Sequence, residues 1–470
     1  MSKALPFRPW IERSEALVVP LRTAARLAFS LTIILIPFRF RFVLASRPLA
    51  PVYGDFTDFL LYASDITLLA ALLLWALSLL IRPYPIKFGP VFIRLPLAGI
   101  FIFSFISTFT SLDAPLSIYH LIRLITLGGF YLYIVNEIER LSQLAIPIAL
   151  QVLIQSLIGV TQYLSQRSLG LQGLGEWTLD PAWSGVSVVW ADGVRALRAY
   201  GLADHPNILG GSLAFGLLLL AGWAVRSASR RSPLMSGIFA LGLVAVFLTF
   251  SRAAWLGLAV GMLILVVGLR RTRQNQALFA WLGLAGAGLI LLLPFVWQNA
   301  SFLGVRLNVG DSFTQITIEQ RSISERRELN NAANQIFMDH PLDGVGIGAF
   351  PTALLSAQPD VPYDYQPPHF ALLQVAAEVG IFGALFYFLL LAAPWAAVWM
   401  NYPRIDFSPA FLAACAALAA ITIVGLFDYY PWLLAPGRLW QILILGFWGL
   451  AYQQSLDKTD RESKPSLTCC

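Results

Sequence analysis

Three of the four histidines, His205, His340 and His369, fall in or beside two long polar stretches, 165–205 and 298–369. Histidine is the side chain best suited to take a proton near neutral pH, so acid–base chemistry is sought there first. His369 follows Pro367 and Pro368 and opens a long apolar run, which holds its ring at the start of an element rather than in a floppy loop. It reads either as a base or as an interfacial histidine with no task. His205 and His340 each precede a proline, in His205-Pro206-Asn207 and Asp339-His340-Pro341, and look more like turn or helix-start residues. His120, beside Arg123 in an apolar stretch, reads as a packing residue.

Arginine is the second signal. Arg198 closes the first polar stretch, Arg252 stands in the tight turn Phe250-Ser251-Arg252, and Arg321, Arg326 and Arg327 lie on helical text in the second stretch. Guanidinium groups bind diphosphate bidentately, and several on one face would hold such a group and stabilise it as it leaves. Arg321 and Arg327 read instead as snorkelling side chains. That reading fits Arg252 poorly, because short outer loops are where topology rules avoid arginine. Glu378, nine residues along from His369, needs a partner below the surface; it either orients the histidine or pairs with an arginine, and a structural role is expected.

Some chemistries find no support. No paired acidic DxD motif, Walker loop, HExxH or CxxC occurs, so neither a metal–nucleotide sugar site nor ATP hydrolysis is indicated. Gly344-Val345-Gly346-Ile347-Gly348 lacks a strand-to-helix context and reads as a turn. An extracytoplasmic reaction without nucleotides needs a pre-activated donor, and a lipid-diphosphate sugar is one.

The elements that must position these residues belong to a membrane. Charged residues make up 12% of the 470 and hydrophobic ones 57%, with a mean hydropathy of +0.69, where a soluble chain would carry about 25% charged residues. About twelve apolar stretches can cross some 30 Å of hydrocarbon, at 24–44, 57–81, 92–112, 116–136, 144–164, 206–225, 233–250, 253–269, 277–297, 370–398, 407–427 and 437–452. The fold class expected is an all-α polytopic membrane protein of about twelve transmembrane helices, with a large outer loop carrying short helices. The whole of 1–470 reads as a single integral membrane domain.

With the N-terminus inside, all the lysines (Lys3, Lys87, Lys458 and Lys464) fall on the inner side, and the short outer loops hold only Arg39, Arg41, Arg47, Arg252 and Arg438. Both termini are therefore expected in the cytoplasm, and 165–205 and 298–369 outside. The net charge of +6 is accounted for by these topology signals, and no nucleic-acid role follows. Residues 1–26 are basic and amphipathic and lack a cleavable signal's features, so the first span is expected to be the address and the N-terminus to be kept. Cys415, Cys469 and Cys470 form neither a disulfide framework nor a metal site; the last two read as an inert tail, with lipidation as the alternative. In the second long stretch, 324–338 carries an apolar stripe (Leu329, Ala332, Ala333, Ile336, Phe337) and 341–351 is turn-rich, so short helices capping the bundle are expected.

These motifs together carry a resemblance. Thr249-Phe250-Ser251-Arg252-Ala253-Ala254-Trp255, then Asp339-His340-Pro341-Leu342-Asp343-Gly344-Val345-Gly346-Ile347-Gly348, then His369 with Leu373-Gln374 and Glu378-Val379-Gly380-Ile381-Phe382-Gly383 resemble the O-antigen ligase and polymerase superfamily in order and spacing. Arg198, Gly201, His205, Pro206 and Asn207 match its preceding motif, and the ligase-like region is expected over 233–398. The resemblance implies an enzyme of the plasma (inner) membrane that moves a glycan from undecaprenyl diphosphate to an acceptor hydroxyl, on the extracytoplasmic face, with no metal or other cofactor. By motif position His369 is the catalytic residue, Arg198, Arg252 and Arg326 hold the diphosphate, and Glu378, His205, Asn207 and His340 support them. Two positions depart from the pattern: Asn330 stands where a tryptophan is usual, and Phe370 where asparagine usually follows the histidine.

Three readings stay open. The first is a membrane glycosyltransferase acting on a glycan, lipid or protein acceptor. Its close alternatives are a polymerase of lipid-linked repeat units and a cell-shape or division glycan polymerase, the latter favoured by an essential loop carboxylate. A transporter or flippase of lipid-linked glycan would want internal repeats and a path of charges; no repeat is evident, and Arg123 and Asp65 are the only strong mid-span charges.

Overall fold

The computed structural model describes residues 8–226, 233–307 and 313–463. Lys3, Lys464, Cys469 and Cys470 lie outside the described residues. The chain runs α1 (Arg8–Leu35), β1 (Arg41–Ala45), β2 (Phe59–Tyr62), α2 (Ala63–Ile81), α3 (Val91–Ser107), α4 (Ala114–Glu137) and α5 (Ser142–Ser165). It continues through the hairpin β3 (Val188–Ala191) and β4 (Val194–Leu197) into α6 (Pro206–Arg226), α7 (Pro233–Leu248), α8 (Arg252–Arg271) and α9 (Asn275–Gln298). Three elements fill the second long connection, α10 (Ala300–Arg306), α11 (Phe313–Asp339) and α12 (Phe350–Ala357), before α13 (Ala371–Met400), α14 (Pro409–Phe427), the short α15 (Tyr430–Leu433) and α16 (Ala435–Ser463).

Every expected apolar stretch lies on, or largely on, a helix. Among the described residues nine helices are long and apolar enough to cross a membrane, and α3 and α7 are shorter apolar helices. The remaining stretch, 437–452, lies within α16. The protein is an all-α polytopic membrane protein.

The first span is a correction. Expected over 24–44, it stops at Leu35, and 41–45 is a strand paired antiparallel with β2, Arg41 opposite Tyr62. The reason is electrostatic: two arginines in mid-span would lack partners, whereas beyond the helix Arg39 and Arg41 both reach Asp204, at 2.8 and 2.9 Å. The mid-span charges Arg123 and Asp65 pair with each other at 3.0 Å.

The bundle is built around α14, which packs against α6, α8 and α16. Its Ala413, Ala416, Ala417 and Ala420 are buried, and α8 meets it with Gly257 and Gly261, where a Cβ would fall 3.0 Å from Ala420 O and 3.1 Å from Ala416 O. Small residues let backbones approach where no hydrophobic force drives helices together in lipid.

At the end of the bundle that carries both long connections, α11 lays Leu329, Ala332, Ala333 and Ile336 against Phe350, Leu354 and Tyr365 in a second core. The turn-rich stretch 341–351 is stitched to a break in α13 at Gly380. Val345 and Gly346 donate to the carbonyls of Ala377 and Glu378 at 2.9 Å each, and Ile381 N donates to Pro341 O at 2.8 Å. Gly380 adopts φ +78, and a Cβ there would sit 2.2 Å from Leu342 O. Gly380→Ala is therefore expected to destabilise the detergent-solubilised protein by about 1–3 kcal/mol. Gly286→Ala, where nothing lies within 4 Å, should leave it unchanged. Equal thermal midpoints for the two variants would contradict this account of the junction.

Candidate functional site

The site is assembled by polar side chains that buried backbone requires. Gln162, on α5 and fully buried, accepts from Gly201 N at 2.8 Å and donates to Gly201 O at 2.9 Å and Glu176 Oε1 at 2.8 Å. That clamp holds the segment between β4 and α6 against the bundle. Arg198 leaves β4 4% exposed, and its guanidinium donates to Thr249 O (2.6 Å), Ser187 Oγ (2.7 Å) and Asn207 Oδ1 (2.7 Å). One side chain thereby ties Ser187 at the entry to β3, the turn between α7 and α8, and the start of α6.

The turn at 249–252 is shaped for this. Phe250 takes a left-handed φ of 48, uncommon for a residue with a side chain, while its ring is buried against Tyr163, Phe247, Trp255 and Phe302. Ser251 caps α8, accepting from Ala254 N at 3.4 Å. Arg252 is thus the first residue of α8, half-buried, with Nη1 3.5 Å from the carbonyl of Arg306 at the end of α10.

Asn207 passes the network on. Its Nδ2 donates to Asp428 Oδ2 at 2.9 Å, and Tyr429 N donates to Asp428 Oδ1 at 2.9 Å. Asp428 Oδ1 stands 3.9 Å from Nδ1 of His369, too far for a hydrogen bond. That Nδ1 is buried and has no hydrogen-bond partner among the described residues. The ring packs on Tyr429 at 5.2 Å between centroids. Burial pushes the His369 pKa down to about 4; Asp428 opposes this and the Arg326 guanidinium adds to it. The ring is therefore neutral at pH 7, with a lone pair available on one nitrogen.

His205 takes its place at the start of α6, its Nδ1 accepting from Asn207 N at 3.1 Å. Burial holds its pKa well below the usual range, and the charges of Arg198, His369, Arg326 and Arg306 act in the same direction. The charges of Arg326 and Arg306, from α11 and α10, thus act on the His205 ring, and that of Arg326 also on His369. The N-termini of α6, α8 and α13 converge on the site as well, and helix N-termini favour anions.

The sequence-expected residues divide accordingly. His369, His205, Asn207, Arg198 and Arg326 come together, and Arg252 adjoins them through Arg306. Arg198 is engaged mainly with protein acceptors. His340 is exposed at the end of α11, and Arg321 and Arg327 are exposed on it. Glu378 is fully buried and accepts from Gly348 N (2.9 Å), Trp432 Nε1 (2.7 Å) and Gln374 Nε2 (3.0 Å), which is the structural role expected of it rather than one beside His369.

Sequence reasoning missed Asp428, Tyr429 and Arg306. Asp428 had a signal, since an acid directly ends the apolar run 407–427. Arg306 had none beyond its place in a long loop.

Residues 237–388 match a family described as O-antigen ligase. The matched stretch includes Arg252, Arg326, His340, His369 and Glu378; Arg198, His205 and Asn207 precede it and Asp428 follows it. No curated protein matches the chain.

Asn207 donates to a carboxylate and accepts from a guanidinium, so Asn207→Asp would set two carboxylates against each other. The expected result is a loss of about 1–3 kcal/mol in thermal stability at neutral pH, recovered in part by acidification. An unchanged melting curve at pH 7 would show that the link does not hold the site.

Proposed function

We propose, from the match of residues 237–388 to a family described as O-antigen ligase, that the chain transfers a glycan from undecaprenyl diphosphate to an acceptor hydroxyl. The observation that carries the reading is the neutral, buried His369, whose unpartnered Nδ1 stands beside Asp428 while the charge of Arg326 acts on the ring. In the reaction proposed, His369 takes the proton of the acceptor hydroxyl as its oxygen bonds to the anomeric carbon. The bond from that carbon to the diphosphate oxygen breaks with its electron pair on oxygen. Asp428 stabilises the imidazolium so formed, and the proton then leaves to the diphosphate or to water.

Arg252, Arg306 and Arg326 suit the departing diphosphate, since guanidinium groups bind such a group bidentately. Arg198 suits a positioning task, holding Asn207 and through it Asp428. No step in this scheme calls for a metal or a nucleotide. The donor's prenyl chain suits an apolar groove of about 290 Å³ between α13 and α14 that starts at Phe370, Gly425 and Leu426 and runs along α13 to Trp395. Phe370, in place of the more usual asparagine, thus becomes groove wall beside the base. The arginine and lysine distribution supports a site on the outer face of the plasma membrane.

Cells carrying His369→Ala or Arg252→Ala, with membrane levels checked by blot, are expected to accumulate undecaprenyl-diphosphate-linked glycan and to lose the finished conjugate or polymer. An unchanged product with His369→Ala would remove the histidine from the mechanism. In a membrane assay, activity should require the neutral ring and so fall only as pH drops through about 4. Arg326→Gln removes a charge that opposes protonation, so the acid limb should move to higher pH; Asp428→Asn removes one that favours it, and the limb should move lower. Opposite displacements would assign the limb to another group.

A further inference from the structure

Three tryptophans stand exposed on the first long connection, Trp177, Trp183 and Trp190. Trp177 has a partner, since the guanidinium of Arg39 lies 3.7 Å over its ring. Trp183 and Trp190, 50% and 37% exposed, have neither a ring contact nor an indole hydrogen bond among the described residues. An indole is a large apolar face with one polar corner, and two of them left open on a polar connection call for something to cover them.

The hairpin brings the two together. Trp190 stands opposite Arg195 across β3 and β4, and residues so paired carry Cβ atoms about 5 Å apart. The Arg195 guanidinium reaches back to the carbonyls of Ala182 and Trp183, at 3.5 and 3.3 Å, beyond the usual length of such bonds. Its Nε is buried with no hydrogen-bond partner among the described residues. Two open indoles are thus linked through a guanidinium whose bonding is unfinished.

The hairpin is bonded to the candidate site. Ser187, which directly precedes β3, accepts from Arg198 Nη1 at 2.7 Å, and at about 3.3 Å per residue Trp190 lies roughly 10 Å along the strand from it. Strand β3 also packs against α10, and the carbonyl of Arg306 at the end of α10 stands 3.5 Å from Arg252 Nη1. A diphosphate held by Arg252 and Arg306 would therefore carry its sugars past this hairpin.

Pyranose rings present flat C–H faces that stack on indole and a rim of oxygens that accept from guanidinium. A membrane surface also gathers tryptophan, but Asp192 is exposed at the tip of the same hairpin, whereas Trp297, at the end of α9, stands where such anchors stand. We propose that Trp183, Trp190 and Arg195 form a sugar-binding subsite that holds the donor's glycan one or more sugars away from the diphosphate. This rests on the transferase reading above and deepens it, because such a subsite selects donors by their glycan rather than by the lipid diphosphate common to all of them.

The test uses the full chain in lipid nanodiscs as wild type, as the double variant Trp183→Ala/Trp190→Ala, and as Trp297→Ala, an exposed indole outside the hairpin. The probes are the glycan cut from the cell's own lipid diphosphate by mild acid, and two donors, undecaprenyl diphosphate carrying either the whole glycan or one hexose. Wild type is expected to bind the free glycan, and the double variant to bind it about tenfold more weakly. KM for the whole-glycan donor should rise about tenfold with little change in kcat, and the preference for that donor over the one-hexose donor should fall by the same factor. Trp297→Ala should match wild type throughout. Wild type that fails to bind the free glycan, or a double variant that keeps both the binding and the preference, would overturn the subsite. An equal loss on both donors would overturn it too, since it marks a purely structural role. Quenching of Trp183 and Trp190 by brominated lipid, read as the difference between wild type and Trp183→Phe/Trp190→Phe, would reassign the pair to the membrane surface. Binding needs no turnover, so free glycan bound through the two indoles with neither donor transferred would overturn the transferase reading and leave the sugar subsite standing.

Discussion

A guanidinium buried among helices must find acceptors for its N–H groups, and the acceptors Arg198 finds decide where the functional segments meet. Its three hydrogen bonds reach Ser187 at the entry to β3, the carbonyl of Thr249 in the turn before α8, and Asn207 at the start of α6. Asn207 then fixes Asp428 at the end of α14, and Asp428 faces His369 at the start of α13. Segments separated by more than 200 residues of chain are thus held in one plane of chemistry by a chain of charge-assisted hydrogen bonds. Such bonds are stronger than neutral ones in a medium of low dielectric, and costly to leave unmade.

The same constraint operates at Glu378, with a different outcome. A carboxylate in the interior is tolerated because three donors converge on it, and those donors come from the Gly-rich turn, from α13 itself and from Trp432. The acid thereby secures the turn-rich stretch 341–351 under α11, and α11 carries Arg326 toward the histidines. Gly380, with its positive φ, lets α13 break where that turn inserts. The placement of α11, which carries Arg326, therefore rests on a junction further along α13 than His369.

Electrostatics and solvent exclusion act on His369 in concert. Burial favours the neutral ring, and the nearby arginine adds to that, while Asp428 is placed to favour the charged form when it is needed. Under the proposed mechanism the ring would be neutral before proton transfer and supported after it, and the arginine charge that discourages its protonation would also suit a departing diphosphate.

Much of this was legible in the sequence. Length and hydropathy determine that the chain crosses the membrane about twelve times, because nothing else buries so many apolar residues while satisfying backbone hydrogen bonds. Periodicity placed α11, its apolar stripe and the turn after it, and the ordered motifs singled out His369, Arg252 and Arg326. Residue types and spacing could not decide which polar groups use up one another. Arg198 looked as available as any charge yet is bound mainly to the protein, while Glu378, expected in a structural role, is held by three protein donors. His340 looked like part of a cluster and is exposed. Asp428 and Arg306 were overlooked because their partners lie far away in the chain, and the end of the first span was misplaced because Asp204, which draws Arg39 and Arg41 out of the helix, is about 160 residues distant. Local sequence determines what each segment can be; which buried charge meets which is decided only when distant helices pack, because the energy of a buried polar group depends on the few ångströms around it.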